Sequence, residues 1–210
     1  MDDPNRRPIA ARRLAPMQGL ARLLTEWGAT PNGISQVSMV FAALGFGTFW
    51  AAPMAGVWGQ GALLLLAALM IQGRLVCNLV DGLVAVEGGR ATPQGAFWNE
   101  APDRVADTLL LWGAGLAAGH PALGLGCAVL AVATAYLREF GRAEGFAPDF
   151  GGPMAKQHRM AALTLGAVVA AFWTAQAAVV LTVALTVIAL GTLVTAGLRA
   201  RRVLGHLAGR

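Results

Sequence analysis

The sequence is poor in charge and in cysteine. Only 13% of its 210 residues are Asp, Glu, Lys or Arg, whereas 56% are hydrophobic, and the mean hydropathy is +0.58. A soluble domain typically carries about 25% charged residues, so this composition excludes a soluble globule, which could not cover its surface. It also excludes a disordered chain, because such chains are polar or highly charged. With only Cys77 and Cys127, both in apolar stretches, a disulfide scaffold is excluded as well.

What the chain has instead is long apolar runs. The stretches without any Asp, Glu, Lys or Arg are 27–73, 108–137 and 160–198. A membrane-spanning helix needs roughly 20 apolar residues, so each stretch with its flanks is long enough for two crossings. The breaks fall near 53–56 and 119–121, where Pro and Gly interrupt the runs, and less distinctly at 173–176. The predicted spans are 34–52, 61–86, 95–118, 122–142, 157–175 and 178–200.

The basic residues predict how these spans are oriented. All sixteen Lys and Arg lie in the N-terminus, the loops 87–94 and 143–156, the C-terminus or the adjoining helix ends. Because positive charge favours the cytoplasmic side, we predict an all-α integral membrane protein with six transmembrane helices and both termini in the cytoplasm. The pI near 10.5 then reflects attraction to anionic lipids, and nucleic acid is not an expected partner.

The N-terminal residues differ in pattern from the spans. No apolar run directly follows Arg12 and Arg13, so the start of the chain is not predicted to be a signal peptide. Residues 17–28 alternate Leu and Met with Arg22 and Glu26, which is typical of an amphipathic helix lying at the membrane interface. The predicted organisation is a cytoplasmic N-terminus with this interfacial helix (1–33), a six-helix transmembrane domain (34–202) and a cytoplasmic tail (203–210).

Polar side chains at membrane depth are costly, so each is a candidate functional residue. They are Arg74, Asn78 and Asp81 near the end of span two, and Asn99, Glu100, Asp103 and Asp107 at the start of span three. At about 100° per residue, the first three fall within roughly 60° of one another and the other four within roughly 100°. Antiparallel neighbouring helices would bring the two stripes face to face. Carboxylate and amide oxygens converging there suit Mg²⁺, Mn²⁺ or Ca²⁺, and a pair of such ions could hold a pyrophosphate.

A purely structural network is the alternative interpretation of these residues. Arg74 could pair with Asp81, and Asp103 could pair with Arg104 or Arg159. The number of acids and amides on the two stripes favours a functional site.

The spacing of these residues carries a resemblance. From Asn78 to Asp103 the chain is N-x2-D-G-x2-A-V-x8-G-x3-N-x3-D, and this resembles the signature of the CDP-alcohol phosphotransferases (CDP-alcohol phosphatidyltransferases), D-x2-D-G-x2-A-R-x8-9-G-x3-D-x3-D. The spacing matches at every step. The residues identical to the signature are Asp81, Gly82, Ala85, Gly95 and Asp103. Residues 30–35 and 152–159 also resemble the family's stretches before its first and fifth spans, and the predicted six-span topology is the family's.

The chain departs from the signature at three positions. Asn78 and Asn99 stand where the family has aspartate, and Val86 stands where it has arginine. Glu100 and Asp107 lie on the same stripe as Asp103 and could restore two charges. A bacterial branch of the family carries Asn at the first position and Asn-Glu-x2-Asp-x3-Asp in span three, which resembles 99–107. The resemblance therefore implies a subfamily variant in a bacterial inner membrane, with its site facing the cytoplasm.

The resemblance implies transfer of a substituted phosphate from a CDP-linked lipid, such as CDP-diacylglycerol, to an alcohol, with release of CMP. It implies Mg²⁺ or Mn²⁺, as two ions, and Asp103 as base toward the acceptor hydroxyl. The implied metal ligands are Asn78, Asp81, Asn99, Glu100, Asp103 and Asp107, with Asp107 open as ligand or outer partner. The implied nucleotide-binding residues are Asn32, Gly82, Ala85 and Gly95. The candidates for binding phosphate or the acceptor are Arg74, Arg138, Arg142, Lys156 and Arg159.

Several alternatives stay open from the sequence. Lys156 with Arg159, and Arg138 with Arg142, could equally be cytoplasmic anchors, and Arg74 could contact phosphate or neutralise Asp81. The rival functions are a catalytically degenerate membrane scaffold and a small ion or solute transporter. A transporter would need polar groups throughout the bilayer, whereas here they concentrate at one end. Family members are often dimeric, so a homodimer is a further expectation, and basic residues favour a phosphorylated acceptor.

Overall fold

The structure, a computed structural model, describes residues 15–86, 88–89 and 93–209. Predictions for 1–14, for 87 and 90–92 of the loop 87–94, and for Arg210 lie outside the described residues. The described part is helical and contains no strand. Its helices are α1 (Ala15–Glu26), α2 (Pro31–Ala51), α3 (Val57–Val86), α4 (Gly95–Ala117), α5 (Pro121–Ala143), α6 (Lys156–Phe172) and α7 (Ala177–Ala208).

Helix α1 corresponds to the amphipathic segment predicted at 17–28. It packs on α3, with Ala21 buried against Val80 and Val84, while Leu23 and Trp27 stay exposed. Gly28 ends the segment at φ 81°, a left-handed conformation that glycine adopts without steric cost. A short amphipathic helix is therefore present before the first long helix, and its place at the membrane interface stays a prediction.

All three predicted breaks between the long helices are present. A 3₁₀ turn at Ala52–Met54 contains Pro53, and Gly119 turns the chain between α4 and α5 at φ 74°. The third break needs no Pro or Gly, because Trp173 leaves the helical region at φ −127°, ψ 60° before a 3₁₀ turn at Thr174–Gln176. The long helices match the predicted spans to within a few residues, apart from α7, which continues to Ala208.

The six long helices form a closed ring in the order α2, α3, α6, α7, α5, α4. Its centre is filled by fully buried apolar side chains, such as Phe49, Leu110 and Met160. The expectation that spans two and three pack as direct neighbours is wrong, because α3 and α4 each pack along α2 and approach each other little. Side chains therefore have to reach across a gap between α3 and α4.

Two glycines bring the backbones of α4 and α5 close together. A Cβ added at Gly124 would lie 2.5 Å from the carbonyl oxygen of Leu111, and one added at Gly115 would lie 2.8 Å from the Cα of Gly124. Small residues at a crossing let helix backbones approach closely in lipid. This pair of glycines fixes the separation of the two helices.

Four helical segments of the described chain are long and apolar enough to cross a membrane: Pro31–Met54, Val57–Val86, Pro121–Ala143 and Thr174–Ala208. Their outer faces carry exposed Val40, Leu69, Val129 and Leu190, an exterior suited to lipid. The protein is thus an integral membrane protein. Helices α4 and α6 are not in this set, since α4 carries four charged side chains and α6 has 17 residues, so six crossings stay a prediction.

Candidate active site

Acidic and basic side chains from three helices meet inside one end of the ring. Arg74 comes from α3, Asp103 and Asp107 from α4, and Lys156 and Arg159 from the first turn of α6. These five residues are called the ionic cluster below. Arg74 is fully buried, and Asp103, Asp107 and Arg159 are nearly so. The polar residues that helical spacing predicted on α3 and α4 thus meet residues of α6, which the spacing did not link to them.

Asp103 is held by three side chains. Its Oδ1 accepts a hydrogen bond from Nη2 of Arg74 at 3.1 Å and another from Nδ2 of Asn78. Its Oδ2 accepts one from Nζ of Lys156. Both carboxylate oxygens of the predicted base are therefore paired with cations, and the side chain keeps 12% exposure.

Asp107 lies one turn deeper between two guanidinium groups. Its Oδ1 accepts from Nη2 of Arg74 at 2.7 Å, and its Oδ2 accepts from Nη2 of Arg159 at 3.0 Å. The side chain is 2% exposed. These pairs correct two alternatives from the sequence, because Arg74 pairs with Asp103 and Asp107 instead of Asp81, and Arg159 pairs with Asp107 instead of Asp103.

Asp81 has different partners from the other two aspartates. Its Oδ2 accepts from Oγ of Ser35 at 2.6 Å, and its Oδ1 accepts from the backbone N–H of Gly82 at 2.6 Å. In the part of the chain that the structure describes, no Lys or Arg lies within ion-pair distance of Asp81. Of these three aspartates, Asp81 is the one whose oxygens accept only from neutral donors.

Glu100 belongs to a separate set of ion pairs. It accepts from Arg104 one turn on and from Arg138 of α5. Arg138 also lies 5.3 Å from the centre of the Phe150 ring. Both ion pairs use Oε2 of Glu100, and its role as a ligand beside Asp103 stays a prediction. Arg142 is 53% exposed and pairs with Glu139 at 3.5 Å, away from the ionic cluster.

The remaining predicted residues lie on the ends of three helices. Asn32 is in the first turn of α2, after the Thr30 cap, whose side chain accepts from the backbone N–H of Gly33. Gly82 and Ala85 are half-buried on α3, and Gly95 is the first residue of α4. Asn99 is exposed one turn before Asp103.

The segment 144–155 that leads into α6 is fastened by residues that the sequence analysis did not single out. Arg199 of α7 donates to the carbonyl oxygens of Gly151 at 3.0 Å and Thr134 at 2.7 Å. The backbone N–H of Met154 donates to Oγ1 of Thr195 at 2.9 Å. These contacts seat the first turn of α6, and with it Lys156. From the sequence, Arg199 is only one of the predicted cytoplasmic charges, and nothing in the run Arg-Ala-Arg-Arg indicates that it is buried.

Asp149 of the same segment pairs with Arg202 at 2.7 Å. Burial alone would raise the pKa of Asp149, but the hydrogen bonds from Arg202 and from the backbone N–H of Gly151 lower it below its usual value.

The donor set allows a test of whether divalent cations fit. Within the described residues, no group of three or more His, Cys, Asp or Glu side chains is arranged to hold a metal ion. Asp107 does not fit as a ligand, because both of its oxygens are bound by buried guanidinium groups. Asp81 does fit, because each of its oxygens has a second lone pair. Asn78, one turn before it, uses Nδ2 on Asp103 and offers Oδ1 as a ligand.

The ring of helices with a polar site at one end defines a class, an all-helical membrane fold with an intramembrane ionic site. Three solved structures of the phosphatidylinositol phosphate synthase of Mycobacterium tuberculosis share this fold. With the form in complex with manganese and citrate, the chain has 23% identity and a TM-score of 0.73, over 90% of this chain and 88% of the other. With the form that has CDP-DAG bound, the identity is 24% and the TM-score is 0.72, over 89% of this chain and 92% of the other. With the apo form, the identity is 23% and the TM-score is 0.72, over 89% of this chain and 95% of the other.

No protein-family model matches the chain, and no curated protein matches it. At this level of identity the likeness to the solved structures establishes the fold.

Proposed function

We propose that the protein is a member of the CDP-alcohol phosphotransferase family that transfers a phosphatidyl group from a CDP-linked lipid to an alcohol in phospholipid biosynthesis. One observation carries the proposal. The signature residues of α3 and α4 lie at the ionic end of a ring whose fold is that of a synthase solved with CDP-DAG bound. CDP-diacylglycerol is the expected donor, and CMP is the expected product.

The proposed chemistry is a displacement at phosphorus. The hydroxyl oxygen of the acceptor forms a bond to the lipid-bearing phosphorus, and the bond from that phosphorus to the CMP phosphate breaks. Asp103 takes the hydroxyl proton. Of the two cluster aspartates, it is the more exposed, so an acceptor can approach it. Lys156 and Arg74 beside it stabilise negative charge on the reacting phosphate.

The nucleotide is proposed to lie along α3 and the start of α4. Gly82 and Ala85 have almost no side chain, so a flat base or ribose can approach the backbone of α3 there. Gly95 and Asn32 border the same end of the ring. This role is the one that the signature gives these positions.

The acceptor is proposed to carry a phosphate. A small cavity between α5, α7 and the segment 144–155 is lined by Arg138, Arg199 and Arg202 together with Asp149, and guanidinium groups are well suited to bind phosphate. Arg138 is therefore a better candidate for acceptor binding than Arg159, which faces Asp107, or Arg142, which is exposed.

A divalent cation, Mg²⁺ or Mn²⁺, is proposed to bind at Asp81 with Asn78 and Asn99. Such an ion would polarise the pyrophosphate and neutralise charge on it. The signature predicts two ions, but the pairing of Asp103 and Asp107 with cations favours fewer. We also propose that all six long helices cross a bacterial inner membrane with the site and both termini on the cytoplasmic side.

The fully paired ionic cluster favours one second candidate, a catalytically degenerate member that acts as a membrane scaffold. A single experiment separates the two. Purified protein is given CDP-diacylglycerol, Mg²⁺ or Mn²⁺, and a panel of acceptors: glycerol 3-phosphate, inositol phosphate, serine and simple polyols. CMP release with one of them, lost in Asp103→Asn and kept in the exposed acid-to-amide control Glu26→Gln, is the expected result. Absence of CMP release with every acceptor would instead support the scaffold function.

A further inference from the structure

The acids of the site are already matched by side-chain cations. Asp81, Asp103 and Asp107 contribute three negative charges, and Arg74, Lys156 and Arg159 contribute three positive ones. Every carboxylate oxygen of Asp103 and Asp107 accepts a hydrogen bond from one of these cations. The site is thus electrically balanced by the chain itself.

We propose that Arg74 and Lys156 take the place of one of the two divalent cations that the signature predicts, so that the protein binds a single divalent cation, on Asp81. The inference rests on the proposed function for the identity of the site. It concerns the number of ions and the residues that replace one of them.

Burial makes this replacement hard to reverse. Arg74 is fully buried, and its Nε and Nη1 have no hydrogen-bond partner among the described residues. Arg74 contacts Asp103 and Asp107 through Nη2 alone. A second cation on Asp103 would have to displace one of the two carboxylate contacts of Arg74, and it would place a further positive charge beside a buried guanidinium that keeps only Asp107 as its acid partner, which is unfavourable.

The departure from the signature at Asn78 fits the same arrangement. The Nδ2 of Asn78 donates to Asp103, which an aspartate at this position could not do. Two carboxylates at that distance would repel unless a cation lay between them. With Arg74 and Lys156 already holding Asp103, a neutral donor at 78 suits the site better than an acid.

Asp81 is left as the position for one ion. Its oxygens receive hydrogen bonds only from a hydroxyl and a backbone N–H, both neutral donors, in the described structure. Asn78 adds an amide oxygen from the preceding turn, and waters or donor phosphates would complete the shell of a hard cation.

The test counts Mn²⁺ ions by titrating the purified full-length protein and measuring free Mn²⁺ by electron paramagnetic resonance. One ion per chain is expected for the unaltered protein. Asp81→Asn is expected to weaken binding by at least about 100-fold, more than the loss of an outer partner usually does. Asp149→Asn, which removes a carboxylate outside the site, should leave the count at one. Two ions per chain, or none, in the unaltered protein would overturn the inference.

A double variant tests whether a second divalent cation can bind once the side-chain charges are changed. The double substitution Asn78→Asp and Lys156→Gln returns an acid and removes a cation, so it is expected to bind two Mn²⁺ ions whose spectra show dipolar broadening. A count of one in a monodisperse double variant would contradict the role of Lys156, and the count on the unaltered protein decides the matter if that variant does not fold.

The two proposals fail in different ways. Absence of CMP release with every acceptor removes the proposed function but leaves an ion count of one intact. Active CMP release together with two bound ions overturns only the inference about the side-chain cations.

Discussion

Ser35 shows how a small side chain can support the site. It is buried on α2, and its hydroxyl donates to Asp81 at 2.6 Å from 46 positions away in the chain. Sequence reasoning singled out ionisable groups and amides at membrane depth, and it used Ser35 only as part of a resembling stretch. A hydroxyl on an apolar helix commonly bonds to its own backbone, so nothing local marks this one as a partner of Asp81.

We predict that Ser35→Ala weakens Mn²⁺ binding by roughly 10- to 100-fold, because Asp81 loses the donor that orients it. The measurement is the same titration of free Mn²⁺. Ser38→Ala is the matched control, since Ser38 is equally buried on α2 but donates to the backbone carbonyl of Ser35. Equal affinity in Ser35→Ala and the unaltered protein would show that the hydroxyl does not position Asp81.

The sequence predicts which residues of the site share a helix face, but it does not predict which residues meet between helices. Helical spacing placed Arg74 with Asp81 on one stripe and Asp103 with Asp107 on another, and both groups do lie at the same end of the ring. It could not predict that Arg74 reaches past Asp81 to α4, because spacing along one helix carries no information on its neighbours. The arrival of Lys156 and Arg159 from α6 was unpredictable for the same reason.

At the scale of helices, the sequence predicted the breaks well and the packing order poorly. Proline, glycine and the gaps between apolar runs mark where helices end, and each predicted break is present. A short connection, however, does not make α3 and α4 neighbours. Both pack along α2, since small residues allow the close approach there and at the crossing of α4 with α5.

Gly124→Ala is predicted to destabilise the protein by about 1–3 kcal/mol, because the added methyl group would overlap the backbone of α4. The effect is measured as the midpoint of thermal unfolding in detergent, and unfolding is monitored through the loss of the monodisperse peak. Gly126→Ala is the control on the same helix, since nothing lies within 4 Å of a Cβ built there. Similar midpoints for the two variants would mean that α4 and α5 can separate without cost.

The segment before α6 gives a pH dependence. The pKa of Asp149 is lowered by Arg202 and by the N–H of Gly151, so its pair stabilises the fold at neutral pH and this contribution is lost as the pH falls below about 4. We predict that the fall in unfolding midpoint over this acid range is smaller in Asp149→Asn than in the unaltered protein. The difference should be small, because Arg202 is 49% exposed. Identical acid profiles would contradict it.

For the molecule as a whole, the geometry of the ring bears on how many helices cross the membrane. Helix α4 runs beside α2 along its length, with Gly113 against Phe46 near the end remote from the site. Helix α6 begins at the ionic cluster and ends beside the start of α3, where a Cβ at Gly61 would lie 2.9 Å from the carbonyl oxygen of Ala171. Helix α4 thus lies between two of the strongly apolar segments and α6 between the other two, although their own composition is less apolar, and this placement supports the proposal of six crossings.

Six crossings and four crossings differ in where two turns lie. With six, the turn at His120 faces away from the cytoplasm and the segment at Ala147 faces into it. If only the four apolar segments crossed, both assignments would be reversed. Both residues are exposed, so each can carry a single cysteine after Cys77 and Cys127 are replaced by serine. We predict that an impermeant maleimide labels His120→Cys in intact bacterial cells, and that it labels Ala147→Cys only after the membrane is opened. Labelling in the reverse pattern would contradict six crossings with cytoplasmic termini and place the loop before α6 outside the cell.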